Sequence, residues 1–212
     1  MRNGPESPTL APLVGGILLG GASRRMGSAK ALLDWQGESF VERIAATLAS
    51  VVPEVSLLGR GPYLPARVAG LPTIADVAGV EGPLAGILAA LATRPEAAWL
   101  VLSCDQPLIS QSALEWLIGE RRPGRIALFP RLARGRIEPF PGIFEPACRE
   151  AVGALAAPGM RGSLQPLGDL AEVRVVPVPL PLAGALRGVN TPEEWAELLR
   201  DAGAAAKGPR RA

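Results

Sequence analysis

Short apolar runs alternating with stretches of helical periodicity constrain this chain more than any other feature. Leu13–Leu19 has the length and composition of a strand, and Phe40, Val41, Ile44, Ala45 and Leu48 then recur at helical spacing. Val55–Leu58 is a second short strand, and Leu84 to Leu91 is apolar with helical periodicity. Trp99–Leu102 is a continuous apolar run, the pattern of a strand buried on both faces. Ser112–Ile118 returns to helix and Ile126–Phe129 to strand. Such β-α-β alternation predicts a three-layer α/β fold: a mostly parallel twisted sheet with helices on both faces. Sheets of this kind bind ligands at the carboxyl ends of their strands.

Within 212 residues this pattern makes one domain, expected over 13–201. Residues 1–12 carry Gly4, Pro5, Pro8 and Pro12 without periodicity and suit a loose N-terminal extension; 202–212 suit a flexible tail. Met1–Arg2 and the apolar stretch from Leu10 to Ala22 outline a secretory leader only loosely. Glu6, Pro12 and the glycines at 15, 16, 20 and 21 break it up, and no run reaches the ~20 apolar residues of a membrane span. The expected location is the cytoplasm, with no membrane partner. Near the other end, Thr191, Pro192 and Glu194 sit as N-cap, N1 and N3 of a final helix with a capping box, and Trp195, Leu198 and Leu199 form its apolar stripe. Alternate prolines from Pro177 to Pro181 exclude a central strand there and leave an extended edge or loop.

Composition excludes several chemistries. A net charge of +2, from 22 basic and 20 acidic residues, gives no footprint for DNA or RNA. Cys104 and Cys148 are too few for a disulfide framework. There is no histidine, so catalysis by imidazole and histidine metal ligation are both ruled out. Carboxylates, Lys, Arg, backbone amides and a bound metal remain.

The segment directly after the first strand is the most specific in the chain: Leu18-Leu19-Gly20-Gly21-Ala22-Ser23-Arg24-Arg25-Met26-Gly27-Ser28-Ala29-Lys30. Paired glycines let backbone amides approach a phosphate chain, while Arg25 and Lys30 neutralise its charge. Neither the Walker loop nor the dinucleotide-binding glycine fingerprint has this spacing. The bland reading is a flexible strand-to-helix turn with solvated charges, but the double Gly with Arg-Met-Gly and a following Lys outweighs it.

These residues resemble the signature loop of the molybdenum cofactor guanylyltransferase family, within the nucleotide-diphospho-sugar transferase superfamily. The resemblance covers about residues 13–200 and implies that Leu19, Gly20, Gly21, Ser23 and Lys30 hold the triphosphate of GTP. The family's Leu-Ala-Gly-Gly stands here as Leu-Leu-Gly-Gly. Asp76, before Gly82-Pro83-Leu84-Ala85-Gly86, is similar to an aspartate that contacts the nucleoside; capping of a turn is its plain alternative, and Pro83 also suits the first helical position. Ser103-Cys104-Asp105-Gln106-Pro107 follows the central strand, and a carboxylate at a strand mouth facing phosphates suits Mg²⁺. The family's Cys-Asp-x-Pro element supports Asp105 in that role. Cys104 itself suits a small buried side chain better than a nucleophile. Gly188-Val189-Asn190-Thr191-Pro192-Glu193-Glu194 resembles the family's closing motif; the helix cap accounts for the rest of it and leaves Asn190 as a second ligand beside Asp105. Gly135–Phe144 is similar to a segment beside the acceptor, where Arg136 or Arg161 could draw in a phosphate. One departure leaves base choice open: where the family carries an asparagine after the second strand, this chain runs Ser56-Leu57-Leu58-Gly59-Arg60.

The resemblance implies transfer of GMP from GTP to the terminal phosphate of molybdopterin, with pyrophosphate leaving. Arg25, Lys30 and Asp105 are the expected catalytic groups and Mg²⁺ the cofactor. Transient contact with cofactor-delivering or molybdoenzyme-maturation proteins is a further expectation. The alternatives are a CTP-dependent transferase, another acceptor on the same fold, or a non-catalytic nucleotide-binding protein; the intact Lys30 and Asp105 disfavour the last.

Overall fold

The computed structural model describes residues 9–19, 30–59, 64–132, 136–157 and 163–206. Its centre is a seven-stranded sheet in the order β5-β4-β1-β6-β8-β7-β9. The strands are β1 (Leu13–Leu18), β4 (Val55–Leu58), β5 (Thr73–Ile74), β6 (Ala98–Ser103), β7 (Ala127–Arg131), β8 (Gly142–Phe144) and β9 (Val173–Pro177). β8 runs antiparallel to both β6 and β7, and the other pairings are parallel. The expected architecture is therefore present, with one reversed strand. β2 (Asp34–Trp35) and β3 (Glu38–Ser39) form a small separate hairpin.

The central strands feed two hydrophobic layers, because alternate side chains leave them on opposite faces. From β6, Leu100 and Leu102 join one layer with α1 (Phe40–Ala49), α2 (Ala66–Ala69) and α4 (Gln111–Gly119); Trp99 and Val101 join the other with α3 (Pro83–Thr93) and α5 (Cys148–Leu155). This double burial is why Trp99–Leu102 is apolar without a break. Trp99, Leu100 and Leu102 are all at most 1% exposed, and burying a large side chain of this type contributes about 1.5–3 kcal/mol. β1 carries Gly15 and Gly16 for a packing reason. A Cβ on Gly15 would lie 2.7 Å from Leu48 of α1, and one on Gly16 would lie 2.7 Å from Leu58 of β4.

α1 starts at a capping box in which Ser39 and Glu42 exchange bonds, and it buries Phe40, Val41, Ile44, Ala45 and Leu48. α6 (Pro192–Ala206) also starts as anticipated: the Glu194 N–H donates to Thr191 Oγ1 at 3.2 Å, and the Thr191 N–H donates to Glu194 Oε2 at 3.1 Å. Its apolar stripe is narrower than expected. Leu198 and Trp195 pack with Trp35, Phe40 and Val189, whereas Leu199 is 47% exposed. α6 covers only this small cluster at the margin of the domain, and two of its side chains, Trp195 and Leu198, suffice for that.

The Pro12 carbonyl accepts from the Ala98 N–H at 2.8 Å, and the Ala11 carbonyl accepts from Arg121, which is itself paired with Glu145. At the other end α6 runs from Pro192 to Ala206. The Pro177–Pro181 segment closes β9, an edge strand, and passes into a 3-10 segment at Leu180–Leu186. An edge is where missing N–H donors are tolerated.

Candidate active site

The carboxyl ends of β1, β4 and β6 lie side by side, since these strands are parallel neighbours in the sheet. Leu19 leaves β1 with its N–H on the Leu58 carbonyl at 3.0 Å and is buried. Gly20, Gly21, Ser23 and Arg25 lie outside the described residues, as does Arg161. The chain is described again from Lys30, whose backbone opens the 3-10 turn Lys30–Leu32.

Asp76 stands over two glycines. A Cβ on Gly59 would lie 3.1 Å from both carboxylate oxygens, and one on Gly86 would lie 3.3 Å from Oδ1. Gly59 has φ 86°, a left-handed conformation that glycine adopts without strain, and its N–H donates to Ile74 at 2.9 Å. Gly86 lies in the second turn of α3, which begins with Gly82 as N-cap and Pro83 at N1. Asp76 is exposed and takes no hydrogen bond from another described residue, so the turn-capping alternative does not account for it.

Asp105 lies just beyond β6, in the turn that follows Ser103. Its carbonyl accepts from the Val189 N–H at 2.7 Å, which fastens the loop before α6 to the end of the central strand. Gly188 sits between two candidate ligands: a Cβ there would lie 3.3 Å from Asn190 Nδ2 and 3.7 Å from Asp105 Cγ. Asp105 and Asn190, far apart in sequence, therefore crowd the same glycine.

Two neighbours were not singled out in the sequence. Glu138 is partly buried, and burial first, then the charge of Asp105, raise its pKa above the usual carboxylate value. Its N–H donates to the Pro130 carbonyl at 2.8 Å, so it is carried on a segment running beside the end of β7. Gln106 is only 4% exposed; its Nε2 donates to the carbonyls of Phe140 at 2.7 Å and Leu186 at 3.3 Å. It braces the Asp105 turn against both flanking loops. The available signal was a lone amide between an aspartate and a proline at a strand end, which spacing alone cannot distinguish from an ordinary turn.

Cys104 is half-buried, while burial first and Glu145 second push the Cys148 thiol up to about 12, so Cys148 is a packing residue. Among the described residues no three His, Cys, Asp or Glu side chains gather into a metal cage. What is present suits a hard cation of another kind. Mg²⁺ takes one or two carboxylates and completes its shell with phosphate and water, and a cation relieves the repulsion between Asp105 and Glu138.

A MobA-like NTP transferase domain matches residues 15–173. The chain belongs to that family. The MobA-like span takes in the glycine loop, Asp76, Asp105 and Glu138, and stops before Asn190. Among MobA-like relatives, a probable molybdenum cofactor guanylyltransferase of Bacillus cytotoxicus is 33% identical over 194 residues, 88% of this chain and 96% of its own length. Another from Pelotomaculum thermopropionicum is 35% identical over 138 residues, 65% of this chain and 66% of its own. Of the solved structures, molybdopterin-guanine dinucleotide biosynthesis protein A from Archaeoglobus fulgidus superposes with a TM-score of 0.72 at 23% identity, covering 90% of this chain and 98% of that one. The 2-C-methyl-D-erythritol 4-phosphate cytidylyltransferase of Thermus thermophilus gives 0.60 at 19% identity, covering 88% and 98%. The MobA-like chain is thus a nucleotidyltransferase, with the fold of the nucleotide-diphospho-sugar transferases.

Proposed function

We propose that this chain transfers GMP from GTP to the terminal phosphate of molybdopterin and releases pyrophosphate. The observation that carries the reading is that Asp105 and Asn190 crowd the same glycine, Gly188, just beyond the end of β6, at the carboxyl ends of the strands where Asp76 also lies. Relatives named as guanylyltransferases support the nucleotide and the acceptor.

On this reading Leu19, Gly20, Gly21, Ser23 and Lys30 hold the triphosphate, and Asp76 receives the nucleoside. Asp105 and Asn190 would hold magnesium, which when bound would supply charge neutralisation for the phosphates. The acceptor's terminal phosphate attacks α-phosphorus in line, opposite the departing pyrophosphate. A phosphate monoester, with a second pKa near 6, is already ionised at neutral pH. No side chain has to remove a proton, which suits a chain without histidine. Positioning and charge neutralisation by Arg25, Lys30 and the loop amides do the rest. The same reading puts the reaction in the cytoplasm and leaves room for hand-over to molybdoenzyme-maturation proteins.

Incubation with molybdopterin, Mg²⁺ and each of GTP, CTP, ATP and UTP tests this. A guanine dinucleotide product with GTP alone is the expected result. A cytosine dinucleotide formed in preference would overturn the choice of base, and no dinucleotide with any of the four would overturn the reaction.

A further inference from the structure

Gln106 follows Asp105 directly, and its side chain is buried. A long amide is mostly found at protein surfaces, and inside it has to satisfy one acceptor and two N–H donors. At 4% exposure Gln106 meets only part of that demand. Nε2 donates to the carbonyls of Phe140 at 2.7 Å and Leu186 at 3.3 Å, 34 and 80 residues along the chain. Oε1 is buried and has no hydrogen-bond partner among the described residues. Turning the amide over would set Oε1 against the same two carbonyls, so the donating orientation is the one that fits. An apolar side chain of equal length would fill this space without stranding an oxygen, and a stranded buried oxygen costs stability. What the two donations hold in place has to account for the amide.

The Leu186 end of this bridge bears on the candidate metal site. Leu186 closes the 3-10 segment Leu180–Leu186, and Gly188, Val189 and Asn190 follow. The Val189 N–H donates to the Asp105 carbonyl at 2.7 Å. The stretch from Leu186 to Asn190 is therefore fastened twice to the same dipeptide, once to the Asp105 backbone and once to the Gln106 side chain. One bond alone lets a loop pivot; two fix its orientation as well as its distance. Between the two ties sits Gly188, where a Cβ would lie 3.3 Å from Asn190 Nδ2 and 3.7 Å from Asp105 Cγ. The dipeptide is itself anchored. Through Phe140 it is held to the connection between β7 and β8, and the Pro107 carbonyl accepts from Arg43 Nε of α1 at 3.4 Å. Mg²⁺ tolerates little error in such a site, because it demands near-octahedral geometry with oxygens at about 2.0–2.1 Å.

We propose that Gln106 is a positioning residue: it sets the spacing of Asp105 and Asn190, and through that spacing the affinity for a divalent cation, without touching the cation itself. This rests on the reading of Asp105 and Asn190 as the ligands and adds the side chain that holds them in register.

The test uses the full chain, Mn²⁺ as the probe, and a GTP analogue with a methylene group bridging the α- and β-phosphorus, so that nothing is transferred. Electron paramagnetic resonance of unbound Mn²⁺ gives the cation affinity of the complex, and circular dichroism checks that each variant is folded. Gln106→Leu should weaken Mn²⁺ binding by about tenfold or more, while affinity for the analogue in EDTA changes less than about twofold. In an Asn190→Ala background the same substitution should change Mn²⁺ affinity by less than about twofold, because no second ligand remains to be aligned. Should Gln106→Leu not fold, Gln106→Met, which keeps the length of the side chain, takes its place; if neither folds, the amide is a folding requirement and the proposal is overturned. Wild-type Mn²⁺ affinity in a folded Gln106 variant, or an equal loss in both backgrounds, would overturn the proposal and leave the metal site standing. A wild-type complex that binds no Mn²⁺, or an Asn190→Ala variant that binds it as tightly as wild type, would overturn the metal assignment, and the proposal with it.

Discussion

The Asp105 carbonyl accepts the Val189 N–H at 2.7 Å, and this one bond brings Asn190 to the mouth of the central strand. The Glu194 carboxylate takes the Asn190 N–H at 2.5 Å and the Thr191 N–H at 3.1 Å, so the start of α6 holds the same loop from its other side. Asn190 is thus positioned twice, once from β6 and once from α6.

Asp105 should be needed for turnover rather than for folding. Its structural bond runs through the backbone, which Asp105→Ala keeps. The variant should retain the wild-type circular dichroism spectrum, while GTP- and Mg²⁺-dependent pyrophosphate release falls by about 10²–10³. Unchanged pyrophosphate release would remove Asp105 from the metal site.

Gly59→Ala should act on the nucleotide through Asp76. The added Cβ would lie 3.1 Å from both carboxylate oxygens at a backbone φ of 86°, so the carboxylate shifts and the turn is strained by about 1–2 kcal/mol. Steady-state kinetics should show a rise in KM for GTP larger than any fall in kcat, together with a lower urea midpoint. A loss confined to kcat would place Asp76 elsewhere in the reaction.

Thr191→Ala removes the hydroxyl that caps Glu194 at 3.2 Å and should cost about 1 kcal/mol in urea unfolding. Thr191→Ser keeps the oxygen and should stay near the wild-type midpoint. If the alanine variant is as stable as wild type, α6 does not depend on its cap.

Glu138 predicts a pH dependence. Burial, and then Asp105, hold its carboxyl above the ordinary value of 4.5. A folded-state pKa raised in this way contributes stability that is fully present below the unfolded pKa and is lost as pH rises through the folded one. In metal-free protein, Glu138→Gln should therefore be more stable than wild type near neutral pH, and the advantage should shrink as pH falls through the raised folded-state pKa and level off below 4.5. Urea unfolding of both proteins from neutral pH down to below 4.5 measures it; parallel profiles would show that the Glu138 carboxyl is not held above its ordinary value. Added Mg²⁺ should narrow the gap at neutral pH, because the cation stabilises the ionised pair.

Local chemistry alone determined much of this molecule. Strand and helix periods in Val55–Leu58, Phe40–Leu48 and Trp99–Leu102, and the Thr191–Glu194 cap, depend on residues a few positions apart, so they can be read along the chain. Asp105 and Asp76 could be named as candidates along the chain as well, each lying in a short motif beside a strand or helix. Only the tertiary structure decided the rest. The reversal of β8, the brace from Gln106 to Phe140 and Leu186, and the approach of Asn190 and Asp105 around Gly188 join segments tens of residues apart. Leu199 was apolar at helical spacing yet is 47% exposed, because burial depends on what stands opposite a side chain. Periodicity specifies which way a residue points from its own element; which group it meets there is set by the packing of the whole chain.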